Sequence, residues 1–263
     1  MCQERCTHCL TESSPQKTHG TMTLPEWRTV IEDAAALEIS KVQLIGGEPT
    51  LYPHWIELTD LALSLGLKVE IYSNLFLIRS AWWQVFERPG VSLATSYYSD
   101  DPKEHAQITK KFGSHHRTTA NITEALRRNI PLRVGMVEVL PGQRIKEGRA
   151  KLAAMGVRQI NTDRARAVGR AAESGAAPSV NELCGRCGHG RAAVLPDGQL
   201  ALCVLSRFMP CANVKEKRLA AILDSPEWRE AVARIPVRNS ACTPNDSSDC
   251  DPSNTTACDP AYG

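Results

Sequence analysis

Residues 41–53 read KVQLIGGEPTLYP: an apolar, strand-like run that ends in Gly46, Gly47, Glu48 and Pro49. By itself a glycine pair after a strand is a tight turn through which the chain enters a helix. The segment gains meaning from the opening of the chain, MCQERCTHCL, in which Cys2, Cys6 and Cys9 follow the spacing C-x3-C-x2-C. That spacing sets three thiolates on one short loop. Three thiolates leave one iron of a [4Fe–4S] cubane without a protein ligand, and an iron open to a small molecule suggests chemistry rather than electron storage. The same loop also reads as half of a zinc site, with His8 or a remote cysteine as fourth ligand.

Taken together, C-x3-C-x2-C with the ring-bearing His8 before its third cysteine, and GGEP at the end of the next strand, resemble the radical S-adenosylmethionine superfamily. The resemblance implies a [4Fe–4S] cluster on Cys2, Cys6 and Cys9 whose open iron is chelated by the amino and carboxylate groups of S-adenosylmethionine. It also implies that Gly46, Gly47, Glu48 and Pro49 hold the methionine end. Glycine lets the backbone approach, and a carboxylate such as Glu48 pairs with the ammonium.

Composition is compatible with such an enzyme. At 263 residues the chain supports one sizeable core and a small appendage. Lys+Arg 31 against Asp+Glu 29 gives a formal net charge of +2, so no strong field for nucleic acid or an anionic membrane is expected. No apolar run approaches ~20 residues and no signal-peptide pattern opens the chain, so the expectation is a cytoplasmic protein without a membrane partner. The ten cysteines are too dilute for a disulfide-stapled secreted domain, which points to metal binding. Three lie at the N-terminus, none falls between Cys9 and Cys184, and seven follow from Cys184 onward. Two domains are expected, 1–175 as the core and 176–263 as a cysteine-rich extension.

Between the cysteine groups, helix-like and strand-like segments alternate. Thr23 and Glu26 form a capping-box pattern that opens a helix, and strands are predicted at KVQLI, KVEIYS, VSLATS, LRVGMVEV and VRQINTD. Such βα units predict an α/β fold with a parallel sheet curling into an open barrel, which matches the partial (β/α)6 barrel the resemblance implies. The family's cysteine loop follows a first strand, whereas here Met1 abuts Cys2. Either the start lies too far downstream or the chain is truncated, and truncation would leave a sheet edge unpaired beside the cluster.

Sites in parallel α/β sheets form at the carboxyl ends of strands. Ser73 and Asn74, Ser96, and Arg133 occupy or adjoin such positions and resemble the family's adenosyl contacts, while remaining ordinary strand-end residues in themselves. Arg164, Arg166 and Arg170 follow the last barrel strand, where a guanidinium can clamp a carboxylate or simply be solvated. They resemble the R-x-x-GR segment of peptide-modifying radical enzymes. His115 and His116 are expected to open a surface helix and are weak metal candidates. No residue is assigned as catalytic acid or base.

Downstream, Cys184 and Cys187 form C-x2-C, and AAVLPDGQLALC predicts a β-hairpin with Asp197-Gly198 at its turn and Cys203 ending the return strand. Cys211 follows, and helices close the region. Four cysteines in two groups also fit a zinc ribbon. The spacing Cys187, Gly198, Cys203 and the ANV turn resemble the SPASM extension of radical S-adenosylmethionine enzymes, which implies one or two auxiliary [4Fe–4S] clusters. The tail repeats C-x-P through Cys242, Cys250 and Cys258, each two residues before a proline, which predicts turns or disorder. The expected activity is reductive cleavage of S-adenosylmethionine and hydrogen abstraction from a ribosomally made peptide, with a flavodoxin or ferredoxin as electron donor. A small-molecule substrate such as a nucleoside or cofactor precursor is the first alternative. A non-enzymatic zinc or iron–sulfur scaffold is the second.

Overall fold

The computed structural model describes residues 1–172 and 177–236, so the domain boundary expected at 175/176 and the tail cysteines Cys242, Cys250 and Cys258 lie outside the described residues. Helix α1 (Leu24–Ala36) starts at Thr23, whose side chain accepts from the Glu26 amide while the Glu26 carboxylate accepts from the Thr23 amide. This is the capping box read from the sequence. The chain then alternates β1 (Lys41–Leu44), α2 (Trp55–Ser64), β2 (Lys68–Tyr72), α3 (Trp83–Phe86) and β3 (Val91–Ser96). Helices α4 (Pro102–Thr109) and α5 (Ser114–Arg127), strand β4 (Leu132–Glu138), α6 (Ile145–Ala154) and β5 (Gln159–Arg164) complete the first part.

The strands form one parallel sheet in the order β1-β2-β3-β4-β5. In-phase pairs such as Val42↔Val69, Leu93↔Leu132 and Val134↔Ile160 set the register. A sheet covered by helices buries both faces of its central strands. Val69, Ile71, Leu93, Ala94, Val134 and Met136 accordingly have no exposed surface. Around them pack Trp55, Trp82, Phe86 and Ile122. Because all strands run one way, Gly46, Ser73, Asn74 and Tyr97 follow their carboxyl ends on a single rim. Strand β1 is an edge strand whose side faces a large cavity.

The C-terminal part has its own apolar cluster of Leu183, Leu200, Leu202, Ile222, Trp228 and Ile235. Strands β6 (Ala193–Val194), β7 (Gln199–Ala201) and β8 (Ala212–Asn213) make an antiparallel sheet, with Asp197-Gly198 at the predicted turn. Helices α7 (Leu219–Leu223) and α8 (Pro226–Ala233) cover it. The two parts are joined by side chain and backbone. Asp33 of α1 accepts from the Arg218 guanidinium and, at 2.9 Å, from the Leu219 amide at the start of α7. The Thr21 and Met22 amides both donate to the Pro196 carbonyl, at 2.8 and 3.0 Å.

Candidate iron–sulfur and S-adenosylmethionine site

Cys2, Cys6 and Cys9 line a cavity of about 1270 Å³ that runs from the strand rim to the C-terminal part, where Cys203 lines it too. The cysteine loop is fixed by backbone and by one arginine. Cys2 N donates to Ser14 O (3.2 Å), and Arg170 donates from Nε to Cys6 O and from Nη2 to Ser13 O, both at 2.7 Å. Gly169 makes that approach feasible: its φ is +62°, and a Cβ there would stand 2.5 Å from Cys9 O. Burial pushes the Cys2 thiol up to about 12 and Cys6 well above its ordinary value. Thiols so placed resist ionising alone and become ligands when metal charge offsets their own, which fits a sulfur-ligated iron cluster. Among the described residues no three His, Cys, Asp or Glu side chains converge as ligands of a single metal ion.

The glycine pair lies beside this loop. Gly47 packs so closely that a Cβ would fall 1.9 Å from Met1 O, and the Glu48 amide donates to that same carbonyl at 2.9 Å. Gly46, at φ +133°, has open space above its Cα, and both glycines line the cavity with Pro49. Glu48 also lines it, but its carboxylate accepts from Thr50 N (3.1 Å), Thr50 Oγ1 (2.7 Å) and Asn74 N (2.9 Å). Burial raises its carboxyl above the ordinary range, against those hydrogen bonds.

Asn74 ties the parts together: it donates to Cys2 Sγ (3.5 Å), accepts from Gln3 Nε2 (2.9 Å) and lines the cavity. Ser96 lines it as well, 3.0 Å from the Tyr72 hydroxyl. Arg133 reaches the cavity with its charge already engaged, donating from Nε to Glu70 at 3.0 Å. Ser73 is buried, its hydroxyl accepting from Leu75 N at 3.0 Å, and does not line the cavity. The arginines expected to clamp a carboxylate do so within the chain: Arg164 on Glu182 at 2.9 Å and Arg166 on Asp163 at 2.8 Å. His115 departs from the surface expectation. It opens α5 as predicted but is buried, 2.9 Å from the Tyr97 hydroxyl, while His116 stays exposed.

In the C-terminal part, Cys187 and Cys203 are buried with their sulfurs 2.9 Å apart. The Cys187 sulfur and the Ser206 hydroxyl lower the Cys203 thiol below its ordinary value. Cys211 is partly buried against the same apolar cluster, and Cys184, on the loop after residues Val180–Glu182, is disulfide-bonded, so its sulfur is not the free ligand the sequence reading expects. Sequence reasoning missed Gln3, Tyr98 and Arg207, which surround the cysteine loop. His8 stacks edge-on against Tyr98 at 5.0 Å, and Arg207 lines the cavity. Only the ring at position 8 carried a signal for this shell.

The parallel α/β sheet carries three loop thiols at its rim, and the small hairpin domain carries a second cysteine pair, a donor set of the class that holds iron–sulfur groups. The profile described as the radical SAM superfamily matches residues 1–175, and that of an iron–sulfur cluster-binding domain, SPASM, matches residues 184–251. The chain belongs to the radical SAM superfamily, whose domains bind [4Fe–4S] clusters and S-adenosylmethionine. It is 28% identical over 128 residues to an S-adenosylmethionine-dependent nucleotide dehydratase of Thermoplasmatales archaeon (strain ISO4-H5), covering 49% of this chain and 45% of that protein. To a PqqA peptide cyclase of Methylobacterium sp. (strain 4-46) it is 36% identical over 74 residues, 28% of this chain and 18% of the relative. These matches span less than half the length of either curated relative. The fold is similar to that of Streptococcus suis SuiB, solved with precursor peptide SuiA, at a TM-score of 0.71 and 14% identity, covering 89% of this chain and 68% of that one. No described helix is long and apolar enough to cross a membrane.

Proposed function

We propose that the chain cleaves S-adenosylmethionine reductively and turns the 5′-deoxyadenosyl radical on a hydrogen of a peptide. Cys2, Cys6 and Cys9 would hold the cluster, which when bound would supply the electron for that cleavage. The chain's own part is to hold the ligands and shape the space. Arg170 fixes the loop, Gly46 and Gly47 leave room for the methionine end, and Asn74 and Ser96 present polar groups to the adenosyl moiety. Glu48 orders this wall and faces the ammonium.

The observation that carries the reading is the single cavity of about 1270 Å³ shared by Cys2, Cys6, Cys9 and Cys203. It exceeds the ~300 to 1,000 Å³ of ordinary small-ligand pockets, leaving room for a large substrate between two metal sites. Likeness to a peptide cyclase and to a peptide-bound fold supports the peptide. A second reading, a nucleotide substrate, is favoured by the dehydratase match. Residues 1–175 and 176–263 act as core and auxiliary domain in either case, a division supported by the two separate apolar clusters. Cys187, Cys203 and Cys211, with Cys242, Cys250 and Cys258, supply the auxiliary ligands, and Cys184 joins them once its disulfide is reduced. The setting is the cytoplasm.

Anaerobic reconstitution and measurement of 5′-deoxyadenosine test the reading. Formation is expected in the wild type and lost in Cys6→Ala, which retains iron downstream. Cys203→Ala is expected to keep the first cluster and lose productive turnover. Iron and sulfide loaded in full without 5′-deoxyadenosine would overturn the proposal. Stimulation by nucleoside triphosphates and not by peptides would favour the second reading.

A further inference from the structure

The outer wall of the cysteine loop carries a feature the chemistry above does not use. The residues flanking Cys6 are hydrogen-bonded to the end of α4: Arg5 N donates to Thr109 O (3.1 Å) and Thr7 N to Ile108 O (2.9 Å). The next residue, Lys110, turns the chain in a left-handed conformation (φ 52°), and Gly113 does so again (φ 75°). Between them Phe112 is 97% exposed, whereas the other exposed large apolar side chains are at most 41% exposed. A non-glycine residue in this backbone region costs stability and needs a reason.

Charge concentrates at the same place. Arg5, Lys110 and Arg117 are exposed and Lys111 is half-buried. Among the described residues none of the four is in an ion pair. Lys111 Nζ and the Arg117 guanidinium each lie 5.0 Å from the centroid of the Phe76 ring, which holds two like charges side by side. In a chain of net charge +2 such a group is a local field, and its natural complement is an acidic surface. The wall is also thin. Thr7 and His8, the two residues between Cys6 and Cys9, line a surface depression with Lys110, Gln107, Val139 and Leu140.

We infer that the turn Lys110–Gly113, with Arg5 and Arg117, is the docking face for an acidic one-electron carrier protein. Phe112 is its apolar anchor and the Cys6 loop the electron's point of entry. The inference rests on the proposed role of Cys2, Cys6 and Cys9. The step forms and breaks no bond: the reduced carrier, bearing a flavin or an iron–sulfur group, is oxidised by one electron, and the iron–sulfur group of this chain is reduced by one. Entry here needs only the peptide and hydrogen-bond contacts from Lys110 through Ile108 to Thr7 and Cys6. Charge fits the carrier because steering by complementary fields acts on association rate, which a transient electron-transfer encounter requires.

The test uses reconstituted protein and a flavodoxin with its flavin reduced. Binding followed by fluorescence anisotropy is expected to weaken steeply with salt, and to weaken at least tenfold in the double variant Lys110→Glu, Arg117→Glu and in Phe112→Ala. Carbodiimide is expected to cross-link Lys110 or Lys111 to flavodoxin carboxylates. Dithionite-driven formation of 5′-deoxyadenosine is expected to be unchanged in these variants, while flavodoxin-driven formation falls by the same factor as affinity. Equal affinity of wild type and variants, cross-links confined to another face, or equal competition by a short RNA overturns the docking face. Absence of 5′-deoxyadenosine with dithionite in the wild type instead strikes the proposed activity, and the binding arm still judges the surface.

Discussion

Arg170 shows how one side chain fixes the loop of Cys2, Cys6 and Cys9 through its backbone carbonyls. Its guanidinium is committed to Cys6 O and Ser13 O, and its amide to Cys9 O at 3.1 Å. Groups that orient ligands in this way are worth about 10- to 100-fold in metal affinity or activity. Arg170→Ala is therefore expected to lower iron retention at the N-terminal site by about that factor while downstream iron is kept, read by iron content and electron paramagnetic resonance. Arg170→Lys should recover only part, since one ammonium cannot reproduce the paired geometry. His105 is a second case. Its ring is buried, with Nδ1 3.0 Å from Ser114 Oγ and Nε2 without a partner, and it faces Tyr97, Tyr98 and His115, with Lys151 beyond. Burial, then the charges of His115 and Lys151, lower it to about 3. The unfolded chain therefore binds the extra proton between about pH 6.5 and 3, and stability falls as pH drops through that window. A loss of about 2 kcal/mol between pH 7 and 5 is expected from this group, with a flatter profile for His105→Gln in denaturant titrations. Equal slopes in both proteins would refute it. Neither role was legible beforehand. The sequence marks Arg170 as basic and after a strand, but its partners lie more than 150 positions away.

Among elements, the join between α1 and α7 is the informative contact. Asp33, buried on α1, caps α7 from outside by accepting from the Leu219 amide while also holding Arg218. Arg218 is 65% exposed, so solvent screens the ion pair and the cap supplies much of the gain. Asp33→Ala is expected to cost about 1 to 2 kcal/mol and to lower Tm by a few degrees, measured by scanning calorimetry on the reconstituted protein. Within single elements the sequence was a good guide. The Thr23/Glu26 capping box, all five parallel strands and the Asp197-Gly198 hairpin stand where spacing and turn chemistry put them. Those signals act over a few residues, the range in which side-chain periodicity and caps operate. Pairings such as Asp33 with Leu219 have no such local signature.

At the scale of the molecule, the C-terminal apolar cluster draws in residues from the first part of the chain: Leu10, just after Cys9, and Leu37, just after α1, pack against it. Damage to that cluster should thus reach the cysteine loop. Leu200→Ala, at a fully buried position, is expected to cost about 2 to 5 kcal/mol. Hydrogen exchange should show protection lost across residues 183–235, weakened at residues 2–10 and retained in β2 to β4. Uniform loss would mean a single cooperative unit. What the sequence determined by itself was the class of chemistry and its scaffold: three thiolates on one loop, glycines at a strand end, and βα alternation, all properties of short spacing along the chain. Only the tertiary structure decided what surrounds them. Parallel register brings Asn74 to Cys2, folding back brings Arg170 and Gly169 to the loop, and the α4–α5 turn sets unpaired cations and Phe112 against its outer side. Such contacts join residues from tens to more than a hundred positions apart, and their geometry depends on how the sheet and helices pack as a whole.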